Sequence, residues 1–305
     1  MQGSFVHIPS GVVFARKLGG NGPPVVGVHG LGGSHLNWVP PAPYLAALGS
    51  VSAFDLPGFG YSPPSRSYSI RRHAQVTIEY LEHLAEPALV IGNSMGGLVS
   101  ILVAAQRPDL LTGLVLLAPA VAPRWGDPRI DPVVSRRLLL QGIPGVGIPM
   151  IEKYWQSTSA HQQIVDTLTV VCQHPERIPP DVLPETLEMT EIRRHQPWAI
   201  EAIVRSGRST GFTVTRRKEL RQAVQSIRTP TLLVQGEFDR VIPGSGVERL
   251  AEWRPDWTHI LMNDVGHCPQ LEAPEEFSRI VSAWLPNWLD GRSVSIPGKQ
   301  GLAPD

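Results

Sequence analysis

Only two cysteines, Cys172 and Cys268, occur in the 305 residues. They offer neither a disulfide framework nor the paired spacing of a structural zinc site. Net charge is lacking as well. The 27 Lys and Arg balance the 27 Asp and Glu, which argues against nucleic acid or an anionic membrane as the main partner. No apolar run approaches the roughly 20 residues that span a bilayer. The opening Met1-Gln2-Gly3-Ser4-Phe5-Val6 has neither the charged segment nor the apolar core of a secretory leader. These absences leave a reducing cytoplasm as the expected location.

What the chain has in quantity is proline, 30 residues of it, and short apolar runs of strand length. Phe5–Ile8 and Val12–Ala15 read as two strands around a Pro-Ser-Gly turn. Val25–Val28, Val51–Phe54, Pro87–Ile91, Leu114–Ala118, Pro230–Val234 and Thr258–Met262 follow. Helical patterns lie between them, at Trp38–Leu48, Ile70–Ala85, Leu98–Gln106, Gly246–Trp253 and Pro274–Leu289. Such alternation implies a mostly parallel sheet with helices on both faces. From residue 121 to 228 it stops, and helix-like pieces are punctuated by Pro and Gly. This segment is read as a helical lid inserted between the two parts of a core, residues 1–120 and 229–289. Ligands bind at the carboxyl edge of such sheets. The Gly/Ser/Pro-rich residues 290–305 read as a disordered tail. The lid's paired arginines at 136–137, 193–194 and 216–217 read as solvated faces. Trp155, Trp198 and Met150 are open to two readings, a pocket wall or the lid's own small core.

One stretch carries chemistry. Leu89-Val90-Ile91-Gly92-Asn93-Ser94-Met95-Gly96-Gly97 is an apolar strand running into Gly-x-Ser-x-Gly and then a helix, the context of a nucleophile elbow. The turn would hold Ser94 in a strained conformation, with Gly92 and Gly96 small because strand and helix approach closely. A serine needs a base, and the base an orienting acid. Two loops at strand ends supply both types: Asp239 in Gly236-Glu237-Phe238-Asp239, and His267 in Val265-Gly266-His267-Cys268. Glu237 and Asp264 are nearby carboxylates that compete for the acid's role.

With His29-Gly30-Leu31-Gly32-Gly33, Asp55-Leu56-Pro57-Gly58-Phe59-Gly60-Tyr61-Ser62 and Glu272-Ala273-Pro274 added in order, residues 4 to 289 resemble the α/β-hydrolases, specifically capped serine hydrolases of the esterase and C–C hydrolase type. The resemblance implies Ser94 as nucleophile, His267 as base and Asp239 as acid. It also implies an oxyanion hole from the backbone N–H groups of Leu31 and Met95. His29 and Asp55 would then brace the oxyanion loop, and Cys268 would be a pocket wall; the other histidines read as surface or packing residues.

The expected reaction is hydrolysis of a carboxylic ester of a small to medium, largely apolar substrate, with no metal or organic cofactor. A C–C hydrolase, a cofactor-free perhydrolase and a non-catalytic ligand-binding protein are the alternatives. Leu31 departs from the glycine-rich loop of the C–C hydrolases, and Ser94 departs from the elbow aspartate of epoxide hydrolases and haloalkane dehalogenases. The lid's Ile143, Val146, Ile148, Met150 and Ile151 suggest an apolar pocket. Charged acyl groups are expected to be poor substrates unless a lid arginine points inward.

Overall fold

Successive residues of the apolar runs bury on opposite faces of one sheet, which is why the runs are continuous rather than alternating with polar residues. The computed structural model describes residues 3–289; the expectation for the 290–305 tail lies outside them. Eight strands, β1 (Ser4–Ile8), β2 (Gly11–Gly19), β3 (Pro24–Val28), β4 (Ser50–Phe54), β5 (Ala88–Asn93), β6 (Leu111–Leu117), β7 (Thr231–Gly236) and β8 (Thr258–Met262), lie in the order β1-β2-β4-β3-β5-β6-β7-β8. β1 and β2 pair antiparallel, as do β2 and β4. Every other pairing is parallel.

On one face Val26, Val90, Leu114, Leu116 and Leu233 pack beneath α2 (Ile70–His83), α3 (Met95–Gln106) and α10 (Gly244–Trp253). On the other, Val25, Leu89, Ile91, Val115 and Val234 meet Trp38, α1 (Ala42–Leu45) and α12 (Pro274–Leu289). α11 (Pro269–Glu272) leads into α12. Phe277, Val281 and Trp284 set α12 against the sheet.

The helix expected over Trp38–Leu48 is instead a 3-10 turn, His35–Trp38, and the single turn of α1. Prolines 40, 41 and 43 each remove a backbone donor, so no continuous helix can cross them. Ser34 caps the 3-10 turn by accepting from Leu36 N–H.

Between β6 and β7 run α4 (Pro132–Gly142), α5 (Gly147–Ser157), α6 (Ala160–Val171), α7 (Leu183–His195), α8 (Ala199–Thr215) and α9 (Arg217–Ser226). Leu220 and Val224 of α9 bury in the same cluster as α2 and α3. That helix therefore belongs to the core layer, unlike α4 to α7. α8 rests on α2, where Ser206 Oγ meets His73 Nε2 at 2.9 Å and Ser209 Oγ accepts from Ile70 N–H at 2.9 Å. Among the described residues no helix is long and apolar enough to cross a membrane.

Candidate active site

β5 ends in the elbow. Ser94 sits at φ 55°, ψ −118°, a conformation few non-glycine residues adopt. It is held on both sides: Ser94 N–H donates to Leu117 O at 3.0 Å, and Ala120 N–H donates to Ser94 O at 2.9 Å. The flanking glycines are required by contact. A Cβ on Gly96 would lie 2.2 Å from Val28 O and 2.6 Å from His29 O, and one on Gly92 would lie 2.6 Å from Gly96 O. The strain, of order 1–3 kcal/mol, leaves the Ser94 side chain partly exposed at the start of α3.

The loops after β7 and β8 bring Asp239 and His267 together. His267 Nδ1 lies 2.8 Å from Asp239 Oδ2, and both side chains are buried. Every acceptor direction of this carboxylate is used. Val241 N–H and Ile242 N–H each donate to Oδ1 at 2.8 Å, and Gln235 Nε2 donates to Oδ2 at 2.9 Å. An acceptor-only partner places the proton on Nδ1, so Nε2 is left as the basic nitrogen. Asn93, next to Ser94, donates through Nδ2 to His267 O at 3.3 Å and so ties the histidine loop to the elbow. The Ser94 hydroxyl itself makes no hydrogen bond among the described residues, and such contacts commonly tighten only with substrate bound.

The competing carboxylates are engaged elsewhere. Glu237 accepts from Asp264 N–H at 3.0 Å. Asp264 pairs with Arg177 at 2.6 Å and His174 at 2.9 Å on the surface.

The loop after β3, His29–Gly33, is braced from beneath. Leu56 N–H donates to His29 Nε2 at 2.9 Å, which leaves Nδ1 to donate to Gly30 O at 2.8 Å. Burial pushes the His29 pKa down, so the ring is a neutral strut. Asp55 accepts from His35 N–H at 2.6 Å and Tyr61 N–H at 2.8 Å and faces the His35 ring at 3.0 Å. A Cβ on Gly30 would lie 3.2 Å from Ser94 Cβ, so loop and elbow are in contact. The N–H groups of Leu31 and Met95 donate to nothing among the described residues; Met95 follows Ser94 directly, and Leu31 follows Gly30. Among the described residues no group of three or more His, Cys, Asp or Glu could hold a metal ion.

Residues 25–280 match the alpha/beta hydrolase family. The chain belongs to that family. It is 27% identical to the 2-hydroxymuconate semialdehyde hydrolase of Pseudomonas putida, over 87% of this chain and 88% of that one. It is also 27% identical to the pimeloyl-[acyl-carrier protein] methyl ester esterase of Aeromonas hydrophila, over 87% and 96%. Among solved structures, a serine hydrolase from the polyaromatic hydrocarbon-degrading bacterium Cycloclasticus zankles superimposes with a TM-score of 0.73 at 20% identity, covering 95% of this chain and 99% of that one.

Several residues of this alpha/beta hydrolase depart from their sequence reading. Ile143, Val146 and Ile148, read as suggesting an apolar pocket, are 44%, 40% and 38% exposed, whereas Ile151 is buried. Arginines 136–137 and 216–217 are exposed faces. The pair at 193–194 is not: Arg193 donates through Nη1 to Gly32 O, and Arg194 through Nη1 to Thr158 O. Nothing local in the sequence separates this pair from the others, because Gly32 lies 161 residues away. Trp155 lies against Arg193, with its ring centre 5.9 Å from the guanidinium carbon. Cys268 is buried, with its thiol 3.7 Å from Asn93 Oδ1; burial drives its pKa well above the ordinary thiol value. That disfavours a thiolate and a second nucleophile.

Proposed function

We propose that this alpha/beta hydrolase cleaves carboxylic esters through an acyl-enzyme on Ser94, with His267 as general base and acid and Asp239 as its orienting carboxylate. The observation that carries this reading is the buried His267–Asp239 pair, tied through Asn93 to an elbow serine with positive φ. Ser94 Oγ attacks the ester carbonyl carbon while its proton passes to His267 Nε2. The carbonyl oxygen takes up the negative charge and accepts from Leu31 N–H and Met95 N–H. Each such donor is worth about 2.7–4 kcal/mol where it has been removed in other enzymes. His267 then protonates the departing alcohol. Water adds to the acyl carbon by the same route and releases the carboxylic acid.

Segment 121–228, chiefly α4 to α8, serves as the lid in this reading, and the acyl chain is small to medium and largely apolar. A C–C hydrolase is the second reading, favoured by the likeness to the Pseudomonas putida enzyme. Leu31, in place of the glycine-rich loop expected of that group, speaks against it. The test has two parts. A fluorophosphonate should label Ser94 and leave Ser94→Ala unlabelled. p-Nitrophenyl esters from acetate to octanoate, run beside a 2-hydroxy-6-oxo-dienoate, should show ester turnover that rises and then falls with chain length. Fast dienoate cleavage with negligible ester turnover would replace the ester reading by the C–C reading. Silence on both would favour a ligand-binding role.

A further inference from the structure

A further buried carboxylate, Glu272, is tied to the loop that carries the base, and the proposed reaction leaves it without a role. It lies in α11 and is 2% exposed. Pro269 opens that single turn, and Glu272 N–H donates to Cys268 O at 3.1 Å. The turn folds the carboxylate back on to the residues around His267. Its Oε2 accepts from Gly266 N–H at 2.9 Å and from Gln173 N–H at 3.1 Å. Its Oε1 accepts from His174 N–H at 2.7 Å. Glu272 thus joins the histidine loop to the strap, residues 171–174, by which the chain leaves α6.

Both chain neighbours of His267 are pinned to that strap. Gly266 is pinned through Glu272, and Cys268 N–H donates directly to Val171 O at 3.1 Å. The packing leaves little slack. A Cβ on Gly266 would lie 2.7 Å from Gln173 N and 2.9 Å from Val171 O. A Cβ on Gly236, at the end of β7, would lie 2.0 Å from Gly266 O. His267 itself is held at its carbonyl by Asn93, at 3.3 Å, and at Nδ1 by Asp239, at 2.8 Å. Those two contacts set the tautomer and the turn of the ring. The hold on the preceding residue comes from Glu272.

A second tie between strap and loop runs over the surface, where Asp264 meets His174 at 2.9 Å and Arg177 at 2.6 Å. Water screens such exposed pairs, and they contribute little. A hydrogen bond to a buried carboxylate is roughly twice as strong as one between neutral groups. Burying that charge is costly unless its oxygens are answered, and here main-chain donors from two distant segments answer them. The buried tie is the one that fixes the loop. Resting on the triad of the proposed esterase reading, we propose that Glu272 is a positioning residue for the general base. It fastens the main chain at Gly266 to the strap, so that His267 Nε2 meets Ser94 Oγ in one position when the proton is transferred. Asp239 orients the ring, and Glu272 places the chain from which the ring hangs.

The experiment follows the rate at which a fluorophosphonate labels Ser94, beside kcat and KM for p-nitrophenyl butyrate, at a temperature where every variant is folded. Labelling needs the base but no ester substrate. Glu272→Ala removes all three acceptor contacts, and a reacting group displaced by about 1 Å costs roughly a hundredfold. Labelling and kcat should therefore fall about tenfold to hundredfold, with KM within about threefold. Glu272→Gln can keep its carbonyl oxygen against Gly266 and Gln173 and give up only His174, so it should recover to within about fivefold of the unaltered enzyme. A residue that merely holds the lid segment to the core would lower the melting temperature of Glu272→Ala and leave its labelling rate within about threefold. That result overturns the proposal, and so does an equal loss in Glu272→Gln and Glu272→Ala. Should Glu272→Ala fail to fold, Glu272→Asp decides. It keeps the charge but is one methylene shorter, so it should label at least about threefold more slowly than Glu272→Gln, and an Asp variant as fast as the Gln variant overturns the proposal. Slow labelling in Glu272→Ala with no ester turnover in the unaltered enzyme would sink the esterase reading alone. Ester turnover with labelling unchanged by Glu272→Ala would sink the positioning role alone.

Discussion

Replacing Asp239 by Asn tests the assignment of the acid most sharply, because all four hydrogen bonds to this carboxylate come from donors. Asn must present its NH2 group to one pair of them. If the NH2 faces His267 Nδ1 and Gln235 Nε2, the imidazole must move its proton to Nε2, and it can no longer accept one from Ser94. If it turns the other way, Val241 N–H and Ile242 N–H, each now 2.8 Å from Oδ1, lose their acceptor. Two half-buried orphan donors cost at most about 1–3 kcal/mol each. The first outcome keeps the fold and removes the base. By analogy with serine proteases it should lower kcat by about four orders of magnitude, roughly 5.5 kcal/mol of barrier. The second leaves the imidazole its acceptor and lowers the melting temperature instead. The assay is steady-state hydrolysis of the best p-nitrophenyl ester alongside thermal unfolding, with Glu237→Gln and Asp264→Asn as controls. Those two carboxylates bond to the surface loop rather than to the imidazole, and their kcat should stay within about threefold. Near-normal kcat in Asp239→Asn with a collapse in Glu237→Gln would refute the reasoning outright.

Three further outcomes follow from contacts already described. Gly96→Ala should destabilise by about 1–3 kcal/mol and depress activity, since its Cβ meets backbone oxygens that cannot step aside; Gly211→Ala, in α8 with nothing within 4 Å, should instead stabilise by about 0.5–1 kcal/mol, and equal melting temperatures for the two would contradict the packing argument. Buried His73 has its pKa lowered from 6.5 to about 3, so between those values only the unfolded chain binds the proton and stability falls as pH falls, by at most about 1.4 kcal/mol per pH unit. Melting curves from pH 7 to 4.5 should therefore be steeper for the unaltered protein than for His73→Asn, and identical slopes would exclude His73 as the cause. Burial pushes the Cys172 thiol up to about 12 and Cys268 upward as well; both should resist a thiol reagent until denaturant is added, and prompt reaction of either in the native enzyme would show that its burial is misjudged.

What the sequence disclosed about this fold is what depends on neighbours along the chain. β3, β5, β6 and β7 announce themselves because a strand covered on both faces is apolar at every position. The elbow does so because Gly92, Ser94 and Gly96 answer a steric demand within five residues. Asp239 and His267 were placed by the strand each follows. The break at Trp38–Leu48 was obscured because the apolar period continues through prolines that forbid the helix. Arg193 was unreadable for a different reason. Whether an arginine's donors meet water or protein depends on what lies beside them, and here Nη1 meets Gly32 O and the Trp155 ring lies near the guanidinium, neither of which its own helix reveals. His73 and Ser206 are likewise 133 residues apart, so the buried pairing of α2 with α8 has no local signature. Long-range burial decides these roles, and burial is not written in periodicity.

The short exit from β6 has a consequence for how this architecture can be remodelled. Ala118 N–H is held by Val234 O at 2.8 Å, Ala120 N–H by Ser94 O at 2.9 Å, and a Cβ on Gly97 would lie 2.8 Å from Pro119 Cβ. On the return side, Leu114 N–H is held by Pro230 O at 2.9 Å, with α9 already buried in the core. The serine is thus locked to a fixed socket, and the helices plugged into it begin only after that socket ends. A chimera that exchanges residues 121–216 for the corresponding helices of another hydrolase should therefore inherit the donor's choice of substrate while keeping the geometry of its own nucleophile.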